Sequence, residues 1–153
     1  MNRKPAETVR PFWKHWDFTI DNAADAPSRV LRRFDKSQLE FEIAFLEDIL
    51  AHDPTHLDTM KLLAELYTRN RQFRQGLKLD RQIVTALPRD AAAHYNLACS
   101  LSLTNRLDEC FKRLNQAIRL GYREYEHMAL DPDLETARKD PRWAALFGIP
   151  TQV

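Results

Sequence analysis

The feature that most constrains this chain is internal: residues 57–88 and 91–122 are alike at an offset of 34 residues. At that offset Leu63 falls on Leu97, Ala64 on Ala98, Tyr67 on Leu101, Gly76 on Cys110 and Ile83 on Ala117. Pro54 falls on Pro88, and Pro88 on Tyr122. Large residues meet large and small meet small, which two unrelated amphipathic helices would not give. A unit this short cannot bury its own apolar face, so it has to be stacked against neighbours of the same kind.

The second unit carries His94-Tyr95-Asn96-Leu97-Ala98-Cys99-Ser100-Leu101, then Cys110 and Leu114 in its second half. The first has Leu63, Ala64 and Tyr67, then Gly76, and Pro88 closes it. In these positions the chain resembles the tetratricopeptide-repeat (TPR) family, whose unit is a helix–turn–helix of about 34 residues. Leu97 fills the family's Leu slot, Ala98 its Gly slot, Cys110 the small slot of the second helix and Leu114 the aromatic slot. The small slots have a physical reason: helices crossing at about 8–10 Å need a residue without bulk where their axes approach. The resemblance covers roughly residues 37–130 and implies an all-α fold. That fold would be a short right-handed helical solenoid with a C-terminal capping segment. It implies little about function, because such repeats serve very many partners.

Local signals give the boundaries. Ser37-x-x-Glu40 reads as a capping box, opening a lone helix over 37–52 with Leu39, Ile43, Leu46 and Leu50 on one face. Repeats follow at 55–88 and 89–122, with helices near 56–70, 73–86, 90–104 and 107–120. Asn70-Arg71 and Asn105-Arg106 suit short turns, and Gly121 suits a helix C-cap. A cap over 123–147 is expected to cover the open end through Leu130, Leu134, Trp143, Leu146 and Phe147. Residues 1–36 fit no repeat. They read as a partly extended arm holding Phe12, Trp13, Trp16 and Phe18. Aromatics in that density seldom stay in water, so the arm either folds back over Leu62 and Leu66 or docks into another subunit or partner.

Composition excludes several classes. Lys+Arg 23 against Asp+Glu 22 leaves a net charge of +1, so no field of one sign directs the chain to nucleic acid or an anionic membrane. Arg74, Lys78 and Arg81, with Arg69 and Arg71 nearby, form a basic stripe, but Asp108 and Glu109 interrupt its continuation, and it reads as a solvated outer face. Three glycines leave no material for a phosphate-cradling loop, and two cysteines are too few for a disulfide scaffold. No signal peptide or apolar run of membrane-spanning length is read. The expectation is a cytoplasmic protein.

Candidate sites lie on the first helix of each repeat. Asp58, Lys61, Glu65 and Thr68 recur at i, i+3, i+7 and i+10, and Ala92, Tyr95, Cys99 and Ser102 repeat the spacing. This stripe lies away from the core stripe of Met60, Leu63, Ala64 and Tyr67. The resemblance places it on a concave face, where Lys61, Glu65, Tyr95, Asn96, Cys99 and Ser102 would meet a protein or peptide partner. Some members of the family grip a C-terminal carboxylate there. Lys61 and Asn96 match that set, but Glu65, Glu126 and Leu130 replace the amide and cations it needs, so the clamp is rejected.

Asp80 occupies an aromatic slot and His94 the neighbouring Trp slot, so Asp80 is expected to pair with His94 or Tyr95. Glu42, in a small slot, is expected to find Lys61 or an arginine of the arm. His52 and His56 flank Pro54, which breaks the helical spacing a zinc pair needs, so no metal is expected. Asp131-Pro132-Asp133 and Asp140-Pro141 are explained by helix capping with Pro at the first turn. No nucleophile–base pair or paired-carboxylate motif is present, and no cofactor is expected. The reading is a non-catalytic protein-binding adaptor. The alternative is a structural subunit of a homo-oligomer or larger assembly, anchored by the aromatic arm.

Overall fold

The computed structural model describes residues 29–147, and these are helical with no strand among them. The order is α1 (Arg29–His52), α2 (Leu57–Arg69), α3 (Phe73–Ala86), α4 (Ala91–Leu103), α5 (Leu107–Arg119) and α6 (Tyr125–Leu130). A 3-10 turn (Pro132–Leu134), α7 (Glu135–Arg138) and α8 (Arg142–Leu146) complete it. Consecutive helices from α1 to α5 pack on one another, and α4 also meets the 3-10 turn and α7.

The 34-residue offset is a spatial register. Leu63 and Leu97 are 2% and 1% exposed, in matching places on α2 and α4. Met60, His94 and Met128 are all buried at the same spacing, which makes α6 the short counterpart of α2 and α4. On the alternate helices Ile43, Leu77 and Phe111 form the corresponding buried series, so α1 stands to α3 as α3 stands to α5.

Three helix ends, those of α2, α4 and α5, are made the same way. Arg71, Asn105 and Gly121 have φ of 59°, 57° and 106°. After them the amides of Gln72, Arg106 and Tyr122 donate back to Tyr67, Leu101 and Ala117 carbonyls at 2.7, 2.8 and 2.9 Å. This double-bonded left-handed ending satisfies carbonyls that a helix end would otherwise leave bare. At the opposite ends His56 and Asp90 accept from the amides of Thr59 and Ala93 at 3.2 and 3.0 Å.

Five expectations need correction. α1 begins at Arg29, so the 36/37 boundary falls inside it. Ser37 caps nothing: its hydroxyl donates to the Arg33 carbonyl at 2.9 Å, because the amides a cap would serve are already inside the helix. Glu42 takes its bond from the Gln38 side chain at 3.0 Å, one turn away, and not from Lys61. Leu66 is buried beside Leu46 and Ile43 of α1, leaving only Leu62 of the proposed apolar surface exposed. At the far end Leu134 is fully buried and Trp143, Leu146 and Phe147 pack on the core. Leu130 is 80% exposed, since α6 turns Met128 inward and ends at Leu130. Phe12, Trp13, Trp16 and Phe18 lie outside the described residues.

Two substitutions test this local physics. Arg71 is a non-glycine residue in the left-handed region, so Arg71→Gly is expected to stabilise the chain by about 0.5–1 kcal/mol in urea denaturation. A Cβ on Gly76 would meet the Ala64 carbonyl at 3.5 Å and Thr68 Oγ1 at 3.6 Å, ordinary contact distances. The slot must be small but need not be glycine, as Cys110 in the same place shows. Gly76→Ala is therefore expected to raise stability by up to about 1 kcal/mol through helix propensity, while Gly76→Leu is expected to lower it.

Candidate binding cleft

Residues on one side of α2, α3 and α4 converge with α6 and the 3-10 turn on a cleft of about 720 Å³. α2 supplies Asp58, Lys61, Glu65 and Arg69, α3 supplies Asp80 and Ile83, and α4 supplies Tyr95, Asn96, Cys99 and Ser100. His127, Asp131 and Asp133 close the far side. Of the six groove residues read from the sequence, Lys61, Glu65, Tyr95, Asn96 and Cys99 meet here.

Ser102 does not. It is 1% exposed, and its Oγ has no hydrogen-bond partner among the described residues. The stripe expected to be open on α4 is covered because α4 is packed by α3, α5, the 3-10 turn and α7 together. A helix enclosed on so many sides buries polar-looking stripe positions along with its apolar ones.

The base of the cleft is built around Asp131. The Tyr95 hydroxyl donates to Asp131 Oδ2 at 2.5 Å, and the Cys99 thiol donates to the same oxygen at 3.6 Å. The Asp133 amide donates to Oδ1 at 2.9 Å, so Asp131 caps the 3-10 turn with Pro132 at its first position, as capping predicts. His127 Nε2 lies 3.6 Å from Oδ2. The Tyr95 ring stacks on Tyr122 with centroids 4.3 Å apart and stands 5.8 Å from His127. Burial, with the nearby Asp131 and Asp133 carboxylates, pushes the Cys99 thiol well above its ordinary pKa. Burial, then Cys99 and Asp131, pushes the Tyr95 phenol up. Both stay neutral donors. A thiol held protonated in this way is a poor nucleophile.

Asp80 is 6% exposed and lies in the cleft wall. Its Oδ2 accepts from the Ser100 hydroxyl at 2.5 Å. The expected pairing with His94 or Tyr95 is not formed. His94 Nε2 donates to the Pro88 carbonyl at 3.0 Å, leaving Nδ1 to accept from Arg113 Nη1 at 3.4 Å, and Tyr95 is held by Asp131. The register explains the difference. Positions 46, 80 and 114 read Leu, Asp, Leu, and positions 66, 100 and 134 read Leu, Ser, Leu, all six buried. Leu46 clusters with Leu66 and Leu114 with Leu134, so the middle junction sets Asp80 against Ser100.

Several ion pairs lie outside the cleft. Asp108 and Asp140 bind Arg142 at 2.6 and 2.7 Å, Glu109 binds Arg81 and Arg106 at 2.8 and 2.5 Å, and Glu135 binds Lys139 at 2.6 Å. The cleft holds five carboxylates, Asp58, Glu65, Asp80, Asp131 and Asp133, against the fixed cations Lys61 and Arg69. None of the five is ion-paired to a lysine or arginine among the described residues. Of the basic stripe, Arg74, Lys78 and Arg81 are exposed, whereas Arg69 lines the cleft. The cleft role of Asp131 was missed from the sequence. A legible signal existed: Asp131 stands 34 residues after Leu97 and 68 after Leu63, an aspartate in a core-leucine slot.

No family model and no solved structure matches the chain. Over 76 residues it is 29% identical to a chloroplastic protein of Arabidopsis thaliana. The similarity covers 48% of this chain and 23% of that protein, so the chain matches under a quarter of its relative's length.

Burial raises the Asp80 pKa to about 6, and the Ser100 hydrogen bond only partly opposes it. Because this lies above the unfolded value, the folded state is favoured while the carboxyl is protonated, and that advantage is lost as pH rises through about 6. Asp80→Asn keeps an acceptor for Ser100 without the charge. Urea melts are expected to show little difference near pH 4 and a gain on the order of 2–3 kcal/mol for the variant at pH 8. An equal effect at both pH values would remove the charge from the account.

Proposed function

We propose that the protein is a non-catalytic adaptor whose helix pairs form a short right-handed TPR-like solenoid that holds a segment of a partner protein in the cleft. The observation that carries this reading is the convergence of one face of α2 and α4 with α6 on a single cleft. Its rim presents exposed Lys61, Glu65 and Asn96, and its base is set by buried Tyr95 and Cys99. Rim side chains are free to exchange water for a partner, while the base is held by Asp131 and Tyr122. Such a pre-formed concave site lowers the ordering cost of binding. Its residue pattern agrees with the family resemblance read from Leu63, Ala64, Leu97 and Ala98.

Removing Tyr95 would disturb the base, so the informative variant is Lys61→Ala/Glu65→Ala/Asn96→Ala. It is expected to keep the wild-type melting temperature within about 2 °C and to lose at least tenfold in affinity for any partner recovered with the wild type. Retained affinity would remove the cleft from the function.

A second reading, a structural subunit anchored through residues 1–36, is favoured by one feature. Phe34, Phe41 and Phe45 of α1 are exposed, with the rings of Phe41 and Phe45 6.5 Å apart. Under that reading, Phe12, Trp13, Trp16 and Phe18 join this row at the contact, and deletion of residues 1–28 changes the oligomeric mass in light scattering.

A further inference from the structure

The cleft combines three properties that point to the chemistry of its occupant. It is a formed cavity of about 720 Å³. Its five carboxylates outnumber its fixed cations, Lys61 and Arg69, and none has a lysine or arginine ion-pair partner among the described residues. Its wall also contains Asp80, more than nine-tenths buried, whose Oδ1 has no protein partner among the described residues. Oδ2 is anchored by Ser100, so the free oxygen is held in place. Lys61 and Arg69 line the same cleft, yet neither comes within ion-pair distance of Asp80. With Asp80 only 6% exposed, its ionised form is costly unless a cation reaches it.

We propose that the cleft selects partner segments bearing an arginine, whose guanidinium seats on Asp80 and is flanked by Asp131 and Asp133. This inference rests on the reading of the cleft as a partner-binding groove and names the side chain it reads. Arginine fits better than lysine for two reasons. Its guanidinium is more weakly hydrated, so less is lost on leaving water, and its planar fork donates to more than one acceptor at once. The register supports a role beyond packing. A leucine pair occupies the corresponding place at each neighbouring junction, through Leu46 with Leu66 and Leu114 with Leu134, and only the junction opening on the cleft is polar. The negative cleft also turns away nucleic acid phosphates.

The test is selection of a random 12-residue peptide library on the immobilised full-length protein, followed by calorimetric titration. Selected peptides are expected to share an arginine whose replacement by citrulline, a neutral isostere, weakens binding at least tenfold. Asp80→Asn is expected to weaken the arginine peptide by a similar factor and to leave the citrulline peptide within twofold. Because the folded chain is expected to tolerate Asp80→Asn with a gain in stability, loss of binding would not report unfolding. Selected peptides lacking a basic residue but weakened by the Lys61/Glu65/Asn96 alanine variant would overturn the arginine inference and leave the groove reading standing. Selection of no peptide sensitive to either variant would overturn both.

Discussion

Every helix pair in this chain has an apolar face that only the next pair can cover, and the 34-residue register makes the covering possible. Leu63 and Leu97 end in equivalent buried places because Gly76 and Cys110 let the partner helices approach, and because three left-handed turns reset the chain direction alike. The series needs ends. On one side α1 supplies Ile43 and Leu46 against Leu63 and Leu66. On the other, α6 begins a further unit and Asp131-Pro132 breaks it. Leu134, Ala137 and Trp143 then close over the core. The broken unit does more than stop the stack. It puts Asp131 where a full-length helix would continue its apolar stripe, and that aspartate organises the base of the cleft.

The parts of this architecture legible from the sequence are those set by local spacing. The helix pairs over 57–86 and 91–119, the turns at Arg71 and Asn105, and the ending at Gly121 follow from period and turn chemistry. The errors share one cause: a local signal was overruled by what packs around it. Ser37 and Glu40 have the spacing of a cap, but helix-forming residues on both sides carry α1 straight through. Ser102 follows the stripe of Tyr95 and Cys99, but elements distant in sequence enclose α4. Asp80 is polar in an apolar slot, which is legible. Its partner is set by which position of α4 crosses α3, and a single helix's pattern does not contain that information.

The Asp80–Ser100 junction sets stability against the proposed function. A fully buried leucine contributes about 1.5–3 kcal/mol through burial, and the neighbouring junctions take that contribution from Leu46, Leu66, Leu114 and Leu134. The middle junction forgoes it and holds a carboxylate whose ionisation opposes folding above its raised pKa. A hydrogen bond to one oxygen contributes on the order of 1 kcal/mol and does not restore the balance. The strained place in the stack is thus also the place where the cleft opens, which is where a cationic ligand would relieve it.

That coincidence bears on the energetics of the proposed binding. A ligand that neutralises Asp80 adds interfacial contacts and also removes a penalty already present in the free protein, so part of its affinity is stored in the fold. The same logic assigns different work to rim and wall. Lys61, Glu65 and Asn96 are exposed, and in the proposed complex they act through geometry and exchange of water, where screening keeps single charges weak. Asp80 is 6% exposed, so its charge is less screened, and the proposed discrimination between a cationic and a neutral side chain would concentrate on it. The long stack of ordinary leucine contacts supplies the stability that allows one junction to carry an unpaired carboxylate.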